Sequence, residues 1–362
     1  MNSQPENICF FNTTTFWGGG EKWHYEAAVM ASEQGISTFF VSSPHSVLNE
    51  KLASTKVMQF PIRNSKLGFL SVTKVKKLTQ FFKDNKITTV VFNSPVDLKT
   101  GGLAAYMAKV PSVVYRRGIA VEVKKKTLTT WLFKKVITHF IFNSAATKAL
   151  MVKNFEDIIN TKKSAIIYNA IDFSAFTTTE KTNTSPTIII GNAGRLVTQK
   201  AQHYLVDIAS ILKAKNVAFE IHIAGDGPRY DELKALIETN QLENELKLLG
   251  FVKDMNAFMN NIDIFVSTAK WEGFGFVLAE AMTHKLPCIA FDISSNPELI
   301  HNNTTGFLVP AFNVKVFARQ IEKLINDKTL RHEMGNNGYQ FAVNNFDKKL
   351  QFNTFLEFVT SC

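Results

Sequence analysis

The sequence predicts an α/β protein of two Rossmann-like, doubly wound domains facing across a cleft. Three observations predict it. Short runs rich in β-branched and aromatic residues alternate with longer amphipathic stretches along both halves of the 362 residues, the pattern of strand–helix–strand crossovers in parallel sheets. Several of these runs end in glycine turns, and the carboxyl ends of strands in such sheets are where ligands bind. Thr177–Pro186 is polar, lacks large apolar side chains and ends in proline, so it reads as a linker between the two series. The length also exceeds what one core comfortably serves.

In order, Asn7–Phe11 is a short apolar strand, followed by a loop closing on Gly18, Gly19 and Gly20. A helix over Glu21–Gln34 is stopped by Gly35, and Ser37–Val41 is the next strand. This opening suggests a nucleotide fold, but the glycine spacing is not Gly-x-Gly-x-x-Gly and no acidic residue ends the second strand, which argues against a nicotinamide cofactor. Gly19 and Gly20 ahead of a helix could instead admit a donor diphosphate; a structural turn is the bland alternative. Thr88–Phe92 is a strand, Thr100–Ala108 a helix, and Ser112–Tyr115 a strand ending in Arg116, Arg117 and Gly118. The two arginines suggest an acceptor or phosphate contact. Phe140–Phe142 is a strand, and Ser144 caps a helix over Ala145–Asn154. Ala165–Tyr168 closes this half.

Past the linker, Thr187–Ile190 is a strand leading to Gly194, Arg195 and Lys200, then a helix over Ala201–Lys213. Phe219–Ala224 runs into Gly225-Asp-Gly-Pro228, with a helix over Arg229–Glu238. Leu246–Leu249 leads to Gly250, Phe251 and Val252. Ile262–Thr268 is a buried strand, Trp271–Gly275 a turn, Val277–His284 a helix and Cys288–Phe291 a strand. Glu272 precedes that turn; Glu280 lies in the apolar helix, at least half buried and in need of a donor. The tail from Arg331 is helical, with a break at 344–347.

The formal net charge is +10. Residues 1–180 hold 23 Lys and Arg against 12 Asp and Glu, so the excess sits in the first half. That asymmetry suggests an anionic partner such as a membrane surface or a phosphorylated acceptor, or a lysine-rich, soluble surface. The basic stretch Lys124–Lys135 could lie on a membrane through Leu128, Trp131 and Leu132, or be an ordinary surface helix with these side chains in the core. No module for nucleic acid is present. Three scattered cysteines, no signal-peptide pattern and no apolar run of about 20 residues suggest a cytoplasmic protein, peripheral on the inner face of the cell membrane at most.

The second half resembles the retaining glycosyltransferases of family 4, which have the two-domain GT-B fold. The resemblance rests on Gly194-Arg195-Leu196 with Lys200, Gly225–Pro228, Gly250–Val252, Glu272-Gly-Phe-Gly-Phe276 with Glu280-Ala-Met282, and Glu298 with Thr305–Pro310, in the family's order over about 120 residues. It implies an acceptor domain at 1–172, a linker at 173–186, a nucleotide-sugar domain at 187–345, and a last helix at 346–362 crossing back to the first domain. It also implies a hexosyltransferase-type enzyme that uses a UDP- or GDP-sugar and acts on a glycan or lipid-linked acceptor in bacterial polysaccharide, lipopolysaccharide or glycolipid biosynthesis. By the same resemblance, Arg195 and Lys200 hold the donor diphosphate, Glu280 the ribose, and Gly250, Phe251 and Val252 the nucleobase. Glu272 lies beside the donor sugar, with Gly273, Phe274, Gly275 and Phe276. Glu272, Arg195 and Lys200 are thus the catalytic candidates.

The chain has no Asp-x-Asp, and two cations can replace a metal at the leaving diphosphate, so no metal and no cofactor is expected. Two departures stand out. Arg116-Arg117-Gly118 holds the place where many members have a histidine, and an arginine cannot serve as a base at neutral pH. Lys200-Ala201 stands where Lys-Gly is common. The alternatives are a nucleotide-sugar epimerase of the same fold, for which the first half offers few acid–base pairs, and a non-catalytic partner subunit, which the missing histidine would suit.

Overall fold

The computed structural model describes residues 6–176 and 187–360; the linker expected at 173–186 falls largely outside them. The chain forms two compact units, one of residues 1–170 with 349–362 and the other of residues 171–348.

The first unit contains β1 (Asn7–Asn12), α1 (Gly19–Glu33), β2 (Ser37–Ser42), α2 (Val47–Leu52), β3 (Met58–Pro61), α3 (Val72–Asp84) and β4 (Thr89–Phe92). It continues with α4 (Pro95–Ala108), β5 (Ser112–Arg117), α5 (Thr127–Lys135), β6 (His139–Phe142), α6 (Ala145–Ile159) and β7 (Lys163–Ile166). The seven strands form one sheet in the order β3-β2-β1-β4-β5-β6-β7, with every pairing parallel. Parallel sheets are covered on both faces, and both cores are present. Phe11, Val90, Phe92, Tyr115 and Phe142 pack on one face, and Phe10, Val91, Val114 and Ile141 on the other.

The second unit contains β8 (Ile188–Ala193), α7 (His203–Ala214), β9 (Phe219–Ala224), α8 (Tyr230–Thr239), β10 (Leu246–Gly250), α9 (Met255–Asn260) and β11 (Ile264–Ser267). After these come α10 (Phe276–Thr283), β12 (Cys288–Phe291), α11 (Asn296–Leu299), β13 (Gly306–Val309), α12 (Val314–Asn326) and α13 (Lys328–Phe346). Its parallel sheet runs β10-β9-β8-β11-β12-β13. The last helix, α14 (Lys348–Thr360), follows a break at Asp347. Its Phe352, Phe355, Leu356 and Val359 complete the α1 face of the first unit, against Trp23, Ala27 and Phe10.

Two local expectations are corrected. Gly19 and Gly20 are the first turn of α1 with Gly18 at its N-cap, so the glycines start the helix instead of forming a loop before it. Arg116 and Arg117 lie within β5, not after it. In α5, by contrast, Leu132 is fully buried and the part-buried Leu128 and Trp131 pack against the core, as in the ordinary surface helix that is one of the two readings.

Candidate functional site

In the second unit the winding reverses between β8 and β11, and the loops leaving the carboxyl ends of these neighbouring strands lie where open parallel sheets bind ligands. Lys200 lies on the loop after β8 and Glu272 on the loop after β11. The reversal therefore brings together two residues 72 positions apart in sequence, and the Lys200 ammonium bonds the Glu272 carboxylate. The side chains are 23% and 12% exposed, so the pair is largely withdrawn from water.

The two loops are stitched to each other. Thr268 Oγ1 donates to the Lys200 carbonyl at 3.1 Å, Lys270 N to the Gln199 carbonyl at 2.8 Å, and Gln199 Nε2 to the Trp271 carbonyl at 2.8 Å. The loop after β12 fixes the Glu272 turn from its other side. Ser294 Oγ donates to the Glu272 carbonyl at 2.6 Å, and Ser295 Oγ to the Phe274 carbonyl at 3.0 Å. Such fixed backbone holds a charged pair in place without relying on the flexible lysine stem. Gln199, Thr268, Ser294 and Ser295 carry no sequence motif; their role follows only from which strands are neighbours.

Gly225 has a structural reason. A Cβ there would lie 2.0 Å from the Gly194 carbonyl oxygen, so only glycine lets the loop after β9 pass this close to the loop after β8. The chain of contacts continues through Gly194 N to the Ala224 carbonyl at 2.9 Å and Leu196 N to the Asp226 carbonyl at 2.9 Å. These bonds set the path of the Arg195 segment. The Arg195 side chain itself is exposed, on the same loop as Lys200. Next to Lys200, Ala201 is fully buried with φ +50°, a conformation that costs a Cβ-bearing residue about 1 kcal/mol or more. The expected Lys-Gly pattern has a physical basis here, and this chain departs from it at a strained position.

Gly275 caps α10 in the left-handed region, φ +96° and ψ 54°, which favours glycine. The Phe274 side chain is buried against Phe276 and Phe346, so the turn at Gly273–Phe276 presents backbone more than aromatic surface. Glu280 is part-exposed on α10; its carbonyl accepts from Thr283 Oγ1 at 2.7 Å. At the end of β10, the Gly250 carbonyl accepts from Gly225 N at 2.7 Å, Phe251 is 80% exposed, and Val252 is part-exposed.

Gly19, Gly20, Arg116 and Arg117 belong to the first unit. Its winding reverses between β1 and β4, and the buried Asp97 ties the loops there together. Asp97 accepts from Thr13 N at 3.1 Å, the Thr13 hydroxyl, Ser94 Oγ at 3.1 Å and Asn64 Nδ2 at 2.9 Å, while burial raises its pKa. Gly20 makes room for Asn93, whose Nδ2 would be 2.4 Å from a Cβ at that position.

Successive strand residues point to opposite faces, and this separates the two arginines. Arg116 turns to the α1 face, 1% exposed, with its guanidinium 4.0 Å from the centre of the Trp23 ring. It donates to Asn93 Oδ1 at 3.2 Å and to Asn169 Oδ1. Burial lowers its pKa to about 9 against the opposing pull of Glu21, so it stays charged at neutral pH. Beside it, His24 is fully buried and held neutral by desolvation and the Arg116 charge. Arg117 turns to the other face, 6% exposed, and donates to the Val121 carbonyl at 2.6 Å. The two therefore do not form one joint contact. Among the described residues, no group of three or more His, Cys, Asp or Glu side chains comes together in a metal-binding arrangement. None of the described helices is long and apolar enough to cross a membrane.

Residues 176–341 match the family model of glycosyl transferases group 1. Poly(ribitol-phosphate) alpha-N-acetylglucosaminyltransferase of Staphylococcus aureus is 32% identical over 148 residues, 41% of this chain and 30% of that protein, so the chain spans under a third of this relative's length. The capsular polysaccharide biosynthesis glycosyltransferase CapM of S. aureus is 27% identical over 327 residues, 82% of this chain and 84% of that protein. Among solved structures, Anabaena HepE in complex with UDP and glucose superposes with a TM-score of 0.81 at 21% identity, covering 99% of this chain and 100% of that one. With two Rossmann-like parallel-sheet units and these structural matches the chain has the GT-B fold, and its second half is similar to the glycosyl transferases of group 1.

Proposed function

We propose that the chain is a retaining, metal-independent family 4 enzyme that moves a sugar from a nucleotide-diphosphate sugar to a glycan or lipid-linked acceptor in bacterial surface polysaccharide, lipopolysaccharide or glycolipid synthesis. The observation that carries this reading is the juxtaposition of Lys200 and Glu272 where the second sheet reverses, with Arg195 on the same loop. Lys200 and Arg195 neutralise the departing diphosphate, Lys as a point charge and Arg as a fork. The nucleotide ribose bonds Glu280, and the base rests by Gly250–Val252. Glu272 turns from Lys200 to the sugar hydroxyls as the phosphate takes its place. The acceptor oxygen attacks the anomeric carbon from the face the leaving group departs from. The carbon–oxygen bond to phosphate breaks, and the acceptor proton passes to a phosphate oxygen, so no protein base is required. CapM and the poly(ribitol-phosphate) transferase support a polymer acceptor; the basic first half suits a cytoplasmic enzyme resting on the inner membrane face.

The test is a panel of UDP- and GDP-sugars with purified protein, with and without EDTA. One donor should bind and be slowly hydrolysed, unaffected by EDTA, and Glu280→Ala should weaken its binding. If no donor is bound or cleaved, and Glu280→Ala changes nothing, the reading is wrong.

A further inference from the structure

On the far face of β5 from Arg116, the first unit contains a pocket of about 280 Å³ whose lining includes Lys99, Tyr115, Arg117, Glu122, Lys124 and Lys126. Four cations face one carboxylate. That carboxylate is already engaged: Glu122 accepts from Asn154 Nδ2 at 2.7 Å and pairs with Lys153 at 3.5 Å, and these partners hold its pKa below the usual carboxylate range. Lys99, Lys124 and Lys126 form no ion pair among the described residues. Two buried polar groups form the base of the pocket. Arg117 commits one of its N–H donors to Val121. The Tyr115 hydroxyl is fully buried beside the Arg117 guanidinium, whose charge and hydrogen bond oppose the larger upward push of burial on its pKa.

We propose that this pocket binds a phosphate or diphosphate group carried by the acceptor. The inference rests on the transferase reading above and names the acceptor's chemistry. Four cations against one carboxylate leave a net charge of +3 at the pocket. A carboxylate ligand would match only one of these charges, whereas a phosphate monoester brings about −1.5 to −2 and a diphosphate more. Arg117 offers the guanidinium fork that phosphate oxygens accept, and the three lysines mobile ammonium groups at the rim. Thr127–Lys135 folds as α5 directly after Lys126, so the rim lysines are anchored to the first unit's core through Leu132 and Phe133.

The experiment is calorimetric titration of the full chain with inorganic diphosphate and with geranyl diphosphate, for wild type, Lys124→Gln/Lys126→Gln and Arg195→Gln. The exposed lysine pair can be replaced without touching the core, and Arg117→Gln serves as a second variant once its melting curve shows it folded. Both probes should bind wild type, and affinity should fall about tenfold in the lysine variant and more in Arg117→Gln, with weaker binding at high salt. A geranyl diphosphate preference assigns the group to a lipid-linked acceptor; equal affinities assign it to a water-soluble phosphorylated glycan. Binding unchanged in both pocket variants, or lost only in Arg195→Gln, overturns the proposal. Affinity lost in the pocket variants but kept in Arg195→Gln assigns the binding to the first unit, so its failure is distinguishable from failure of donor cleavage, which would count against the transferase chemistry alone.

Discussion

The Lys200–Glu272 pair makes an unusual demand on a substitution of Glu272. On the proposed reading, the carboxylate occupies in the free protein the ammonium that a donor phosphate would take, so removing its charge should help one step and harm another. The pair is part-buried, at 23% and 12% exposure, which sets its worth at about 1 kcal/mol, between an exposed and a fully buried pair. Glu272→Gln removes that competition, and about 1 kcal/mol corresponds to roughly fivefold tighter binding of UDP, which carries the diphosphate but no sugar. The turn should keep its shape, because Ser294 and Ser295 hold its backbone through the Glu272 and Phe274 carbonyls. Turnover with the intact donor should fall by about 10²–10³, the usual cost of losing one preorganised polar contact at a reacting centre. Calorimetry with UDP and initial rates with the donor read the two effects separately. If UDP binds no tighter and turnover stays within threefold of wild type, the pairing and the role given to Glu272 are both refuted.

Four further outcomes are expected. Lys200→Ala should cut turnover by about two orders of magnitude and lower the melting temperature by a few degrees, since Glu272 is left largely buried without its partner. Ala201→Gly should stabilise the second unit by about 1 kcal/mol, raising its melting temperature by about 2–4 °C, because glycine relieves the φ of +50°. Gly225→Ala should do the reverse by about 3 kcal/mol or more, its Cβ meeting backbone 2.0 Å away; a mild effect on the melting curve would show that the loops can part. Stability should fall as pH drops from 7 to 5. The folded state holds His24 neutral while the unfolded chain protonates it at its ordinary 6.5, so the unfolded state binds the extra proton and gains up to about 1.4 kcal/mol per pH unit below that value. His24→Phe should flatten this slope in urea titrations across that range.

Local chemistry made much of the chain legible. Cys288–Phe291 is a strand with the bounds expected, because four apolar residues between Leu286-Pro287 and a polar turn leave few choices. Ser144 caps its helix through a 3.1 Å bond from Thr147 N, the geometry its residue type favours. By contrast, Val72–Asp84 has no place among the elements read from the sequence. Its helix is recognisable once Val75, Leu78 and Phe82 are known to face the same core. The glycines at 18–20 suggested a ligand loop because glycine permits many conformations; only the position of Asn93 shows that Gly20 is small to admit it.

By itself the sequence determined the alternation that yields two parallel sheets, and the order of glycine turns and charged residues at the strand ends. Both follow from propensities and periods that act within a few residues. The tertiary structure decided which of those ends are neighbours. Strand order places Lys200 against Glu272 across 72 residues, and strand alternation sends Arg116 and Arg117 to opposite faces of one sheet. It also set the phenolic oxygen of Tyr115 beside Arg117, since a side chain's partners depend on what the sheet and its helices pack against it. A pocket for phosphate is a property of that packing and of no motif.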